Sequence, residues 1–452
     1  MSYFNKLHAA GAALLLVILG SAVSLAAGAD KVALVGGRII PVVGDEISKG
    51  TILIERGKIV DFGEKLEIPF DAKVIDVSGK VVFPGMVDAH TWRGLDIPNE
   101  SRPVTPQLSA YDAIDPSRLN FEDMLRNGIT TVHVIQANNT VIGGVGWVVR
   151  PIGLSLSEMT VAQELALKIS ITPKRGFDRL RQMATLRATF LELHDYLDKL
   201  AEERYEAELE KQEKKIEVGP AEARKRGREL IRAEDIDDEH RNLLRLCGTV
   251  GDRPRPPLDR IGAFIYCGNA MDVAHAVKIA KDNGFFDRTV FVLGGETYKA
   301  IAELKAAARP VILPTDLVYR ESDPLTGKIS EVFVPSIIAK AGLLYAVGPG
   351  PDASLPERMM NYQAARLVRN GISRSDALRA ITINPAKILG LDKRLGSIEK
   401  GKDANLVIFS GDPLDFNSVV EMVLIDGIPA YERDKDVRLK RLLAPASDED
   451  SE

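Results

Sequence analysis

From Val32 to Asp76 short apolar runs alternate with breaks of glycine and charge. Val32–Val35, Arg38–Ile40, Thr51–Ile54, Lys58–Val60 and Lys73–Asp76 read as β-strands, separated by Gly36-Gly37, Gly44-Asp45, Arg56-Gly57 and Ser78-Gly79. Leu406–Phe409 and Val423–Ile425 repeat that texture near the other end. Between the two regions the period changes. Strand-like runs at Gly85–His90, Thr130–Ile135, Val145–Pro151, Gly262–Cys267, Thr289–Leu293, Pro310–Leu313 and Leu343–Gly348 alternate with helical patterns at Leu119–Asn127, Met271–Asp282, Tyr298–Ala308 and Arg358–Asn370. Alternation of this kind predicts an α/β domain. The flanking strands predict a small β-sandwich whose halves lie on either side of it.

Lys174 to Arg260 interrupts the alternation. Leu180–Leu197 has helical periodicity, and Ala201–Arg232 is dominated by Glu, Lys, Arg and Ala. The pattern predicts a solvated, charged helical excursion over about 175–260, held by i,i+4 ion pairs; a partner-binding helix is the alternative. Arg253-Pro254-Arg255-Pro256-Pro257 reads as a stiff return connector.

At the N-terminus Lys6 and His8 precede an apolar run, Ala9–Leu25, and small residues follow at Ala27-Gly28-Ala29. This is the pattern of a cleaved export signal over 1–29, which predicts a periplasmic or secreted protein; an uncleaved anchor is the alternative. The polar, acidic stretch from Ala444 onward reads as a disordered end to a tail at 433–452.

The 452 residues allow more than one domain, and a net charge of -5 gives no reason to expect nucleic acid or an anionic membrane as partner. Cys247 and Cys267 could pair in an exported protein, or remain buried thiols. Neither belongs to a zinc-type cysteine cluster. No P-loop, nucleophile elbow or dinucleotide fingerprint occurs.

The chemistry-bearing stretch is Pro84-Gly85-Met86-Val87-Asp88-Ala89-His90-Thr91-Trp92. Alternation places Asp88, His90 and Trp92 on one side of a strand. The stretch resembles the PG-x-x-D-x-H-x-H signature of the amidohydrolase superfamily, in particular its imidazolonepropionase-like members. Asn384-Pro385-Ala386-Lys387-Ile388-Leu389-Gly390 and Gly396–Phe409 resemble that family's NPA-x-x-LG and GS-(I/L)-E-x-GKDADLV motifs. The resemblance implies a TIM (β/α)8 barrel, residues 85–395, inserted into a discontinuous β-sandwich, residues 30–84 and 396–432. One of the eight barrel strands has no clear counterpart in the pattern. Asn384 is expected to cap a helix that has Pro385 in its first turn.

The resemblance also implies a divalent metal, zinc, bound by a histidine pair, a carboxylated lysine and further histidines, with an aspartate that moves protons. Carried over residue by residue, His90 matches the first histidine and Lys168 the lysine. The second histidine is replaced by Trp92, the fifth-strand histidine by Tyr266, and the sixth-strand histidine by Gly294 or Gly295, with Glu296 close by. Asp352 takes the aspartate position, either as proton shuttle or as a loop and N-cap residue. An indole has no lone pair for a metal, and a phenol binds one only after losing a proton that ordinarily leaves near pH 10. His133 reads as structural, and His194, His240 and His275 as exposed. The expectation is one metal ion or none.

What the family implies is hydrolysis of non-peptide C–N bonds, as in cyclic amides, here weakened, altered or lost. The alternatives are a non-catalytic subunit, as a homodimer or beside a related amidohydrolase, and an exported small-molecule binding protein.

Overall fold

The computed structural model describes residues 31–214, 218–248, 258–349 and 359–443. The export signal, the Arg253–Pro257 connector, Asp352 and the stretch from Ala444 lie outside the described residues.

Two segments remote in sequence, 31–84 and 406–432, meet in one eight-stranded sheet. Lys31–Ile39 pairs antiparallel with Ile47–Glu55, which pairs with Lys58–Gly63. Lys31–Ile39 also runs parallel to Lys73–Asp76 and Val81–Pro84. Val81–Pro84 then meets Leu406–Phe409, with Pro84 opposite Leu406, and Val420–Ile425 and Ile428–Glu432 complete the order. Ile39, Ile52, Ile59, Val82, Leu406 and Leu424 are buried together on it. Burying each aliphatic side chain contributes roughly 1.5–3 kcal/mol, which binds two remote segments into one unit. Gly36-Gly37 does not end the first strand as its sequence suggests. The strand continues through it with register shifts on both sides of Gly37. Gly36 adopts φ +87°, where a side chain is strained.

Between these segments lie two further sheets. One contains Met86–Thr91 parallel to Ile129–Val134, followed by Trp147–Val149 and Thr160–Ala162. The other orders Ile142–Val145, Ala166–Ser170, Gly262–Cys267, Thr289–Leu293, Val311–Leu313 and Tyr345–Val347. From Ala166–Ser170 onward its neighbours are parallel. No hydrogen-bonded ladder among the described residues joins these two sheets into a closed barrel. Val87, Ala89, Val148, Ala166, Phe264 and Val290 form a shared apolar floor.

Several elements differ from their sequence pattern. The predicted Val145–Pro151 strand is split at Gly146, where a Cβ would lie 2.3 Å from His133 Nε2. Ala166–Ser170 escaped the pattern because Lys168 and Ser170 break its apolar run, although all five residues are buried. The Tyr298–Ala308 helix starts as a 3-10 turn, Gly295–Ala300, before Ile301–Ala307. Asn384 lies inside the helix Ile383–Ile388 and is not its cap; its amide donates to the Tyr345 carbonyl (3.0 Å). A hairpin, Val318–Ser322 with Ile329–Phe333, had no sequence counterpart. Both cysteines are buried free thiols.

The excursion is helical: Arg179–Lys211, Pro220–Arg228 and Asp238–Leu246. Its ion pairs run between helices as well as along them. Arg224 reaches Glu202 (2.5 Å), Arg228 reaches Asp198 (2.6 Å) and Arg204 reaches Asp235 (2.8 Å). Gly227 lets the helices touch, because a Cβ there would lie 1.7 Å from the Ala201 carbonyl oxygen. His240 is half-buried, not exposed, and stacks on Tyr196 with ring centres 3.9 Å apart. His194 and His275 are half-buried as well. Among the described residues no helix is long and apolar enough to cross a membrane.

The segment after the last sheet strand includes a helix, Val437–Leu443. Asp436 caps that helix through the Arg438 and Leu439 N–H groups (3.0 and 3.1 Å) and accepts from Arg126 Nε at 2.7 Å. The Arg126 bond holds the Asp436 carboxyl down, at about 2. A depressed carboxyl stabilises the fold above its ordinary value near 4 and loses that contribution as pH falls through 2. Arg126→Met should therefore cost about 1–2 kcal/mol at neutral pH, discounted for solvent screening. Urea unfolding of both proteins should show the difference narrowing from pH 4 toward pH 2.

Candidate functional site at the strand ends

The parallel strands deliver their C-terminal ends to one side, where a cavity of about 650 Å³ opens. His90 and Trp92 come from the Met86–Thr91 strand and the loop beyond it, and Asn138 and Asn139 from the loop after Ile129–Val134. Tyr266, Gly294 and Gly348 follow from the next strand ends. Strand direction thus collects residues nearly 260 positions apart, which is where open and closed α/β sheets place ligands.

Lys168 is the centre of the arrangement. It is fully buried on the Ala166–Ser170 strand, opposite Phe264 in the ladder. Its Nζ lies 2.7 Å from His90 Nε2 and 2.7 Å from Asn138 Oδ1. Burial pulls the ammonium down to about 7. Burial, then the neighbouring Lys168 and His133, hold His90 well below the ordinary histidine value, so its ring is neutral. The contact joins the ring's Nε2 to the lysine amine, and the tautomer of the ring sets which of the two donates.

Two buried groups stand behind this pair. Asp88 is fully buried; its Oδ1 accepts from the His90 N–H (3.1 Å), and its Oδ2 has no partner among the described residues. Burial raises its carboxyl to about 7. His133 is bonded through Nδ1 to the Ala89 carbonyl (2.9 Å) and packs edge-on against Phe264 at 4.7 Å. Burial lowers it to about 4. Its Nε2 is buried without a partner among the described residues.

The rim is held by a second network. Asp272, fully buried, accepts from Thr172 Oγ1 (2.7 Å) and from the N–H groups of Gly268 (3.1 Å) and Asn269 (3.0 Å). It also pairs with Arg179, at the root of the helical excursion. With its amide oriented to satisfy both neighbours, Asn269 donates to Glu296 Oε2 (3.1 Å) and accepts from Arg179 Nη2 (3.3 Å). Glu296 therefore sits in the rim network and does not line the cavity. Lys174, at the start of the excursion, donates to the carbonyls of Glu100 and Asn139 (3.1 and 3.2 Å). The excursion is thus rooted in the loops that wall the cavity.

The residues carried over by resemblance are partly brought together. His90 and Lys168 touch, and Trp92 and Tyr266 line the same cavity as His90. Asp352 lies outside the described residues. Sequence reasoning missed Asn99, Asn138, Asn139, Arg179 and Asp272. The polar run Gln136-Ala137-Asn138-Asn139-Thr140 directly after an apolar strand was the available signal for two of them.

These donors do not fit the metal centre that the resemblance implies. His90 Nε2 is engaged by Lys168 Nζ, Trp92 offers no lone pair, and Tyr266 is held protonated, first by burial. Among the described residues no three His, Cys, Asp or Glu side chains converge as a metal cluster.

The sequence profile of the Amidohydrolase family matches residues 193–431, more than half of the chain. The chain belongs to the amidohydrolase family. Within it the chain is imidazolonepropionase-like. It is 24% identical over 433 residues to the imidazolonepropionase of Thermoplasma volcanium, covering 87% of this chain and 94% of that one. It is also 24% identical over 420 residues to the amidohydrolase tasK of Hapsidospora irregularis, covering 85% of this chain but only 40% of that relative's length. The crystal structure of an amidohydrolase from Thermotoga maritima MSB8 matches with a TM-score of 0.71 at 28% identity, over 89% of this chain and 100% of that one. That likeness implies an architecture containing a TIM barrel. The family is generally metal-dependent.

Asp272→Ala should be among the most damaging substitutions at the rim. It removes the carboxylate paired with Arg179 and leaves the Asn269 N–H and the Thr172 hydroxyl proton without their acceptor, at a cost of about 3 kcal/mol. Chemical denaturation would measure it, and hydrogen exchange should quicken in residues 268–272.

Proposed function

We propose that this amidohydrolase-family protein keeps the family's ligand pocket and has given up its two-metal centre. The 2.7 Å contact between Lys168 Nζ and His90 Nε2 carries this reading. A lysine amine placed there occupies the lone pair that a metal would need, and its proton supplies positive charge in the metal's stead. In this reading the inner strands form a (β/α)8 barrel inserted between the two segments of the terminal sheet, whose eight strands serve as the composite second domain. Names among the relatives, an imidazolonepropionase and an amidohydrolase, support C–N bond hydrolysis as the ancestral reaction. In this chain that activity is weak, altered or absent, and binding of a small molecule is the retained function. The Ala9–Leu25 run supports export to the periplasm or outside the cell.

Elemental analysis of the purified protein tests the reading. Zinc, manganese, nickel and iron should each fall well below one equivalent per chain, before and after dialysis against zinc. Trp92→His should not restore a full equivalent, because Lys168 still holds the neighbouring imidazole. Two equivalents of a divalent metal in the natural protein would overturn the proposal, as would turnover of cyclic amides that chelators abolish.

A further inference from the structure

Resting on the reading of this cavity as the ligand pocket, we propose that its ligand is an uncharged, hydroxyl-bearing ring of the carbohydrate class, packed against Trp92. The fixed orientation of the pocket amides carries the argument. Asn138 Oδ1 accepts from Lys168 and Asn139 Oδ1 accepts from the Arg175 N–H (2.7 Å), so both oxygens are committed to the protein. Neither Nδ2 has a partner among the described residues, which leaves two NH2 groups as donors. Asn99 Oδ1 is buried without a partner among the described residues and provides an acceptor. The Tyr266 and Thr315 hydroxyls can act either way. Hydroxyl groups donate and accept at once, and they match such a mixed set better than a group that only accepts.

Charge narrows the class further. No Lys or Arg side chain lines the cavity among the described residues. The one acidic residue lining it, Asp316, is mostly solvent-exposed and lies 3.9 Å from Arg366. Lys168, buried behind His90 and Asn138, does not line the cavity, so a carboxylate or phosphate ligand would lose its water without direct contact with a lysine or arginine among the described residues. Trp92 offers an apolar face where the family pattern has a second histidine, and an indole beside amides and hydroxyls suits the C–H face of a sugar ring.

Isothermal titration of the purified chain with N-acetylglucosamine, glucose, adenine and orotate tests the proposal. A saturable sugar isotherm is expected, with adenine and orotate silent. Trp92→Leu should weaken sugar binding by about tenfold or more. Tyr266→Phe, which removes only a hydroxyl, should weaken it less and keep the melting temperature. Tighter binding of adenine or orotate, or no sugar heat at millimolar concentration, would overturn the carbohydrate assignment. Repeating the titrations with zinc separates the two readings. Zinc uptake with sugar binding intact would refute the metal-free centre alone. Absent sugar binding in a zinc-free protein would refute this inference alone.

Discussion

A buried lysine must find acceptors or give up its charge, and this constraint organises the site. Lys168 lies in a strand with covered neighbours on both sides, beneath the ring of Tyr266 and beside Phe264. Leaving it unpaired there would cost several kcal/mol. Two acceptors from two different strand ends meet it, His90 Nε2 and Asn138 Oδ1. The lysine thus ties three segments together and fixes the orientation of one imidazole and one amide. The same bonds that satisfy it decide what the pocket can offer a ligand: an imidazole already engaged at Nε2, and an amide NH2.

The surrounding fold serves that geometry at two levels. The parallel strands bring their C-terminal ends to one side, and the terminal sheet holds the chain's two ends against them through the Val81–Pro84 and Leu406–Phe409 ladder. Above the strands, Asp272 gathers backbone N–H groups and one guanidinium into a rigid rim. That guanidinium belongs to the helical excursion, which therefore braces the rim as well as forming a solvated arm. Its own stability comes from cross-helix ion pairs together with the buried Leu200, Ala201 and Tyr205.

Much of the fold was legible in the sequence because its periodicities were local. Gly262–Cys267 and Thr289–Leu293 coincide with their apolar runs. The family assignment rested on motifs near the two ends of the chain, where glycine, proline and histidine have fixed jobs. The site was less legible. Lys168 hid inside a strand because a buried lysine looks polar in any period count, and only its spatial acceptors explain it. Asn138 and Asn139 sat in what read as an ordinary loop. Arg179 and Asp272 are 93 residues apart, and no local pattern links them. The substitutions at Trp92 and Tyr266 were visible at once, but what replaces the lost ligands is a property of contacts, not of spacing.

The account stands on one contact, and a crystal structure of the protein grown with excess zinc examines it directly through anomalous scattering at the zinc edge. Lys168 Nζ and His90 Nε2 at hydrogen-bond distance, with no anomalous peak between the strand ends, is the result predicted here. One or two zinc peaks ligated by His90, with Lys168 turned away or carboxylated, would contradict it.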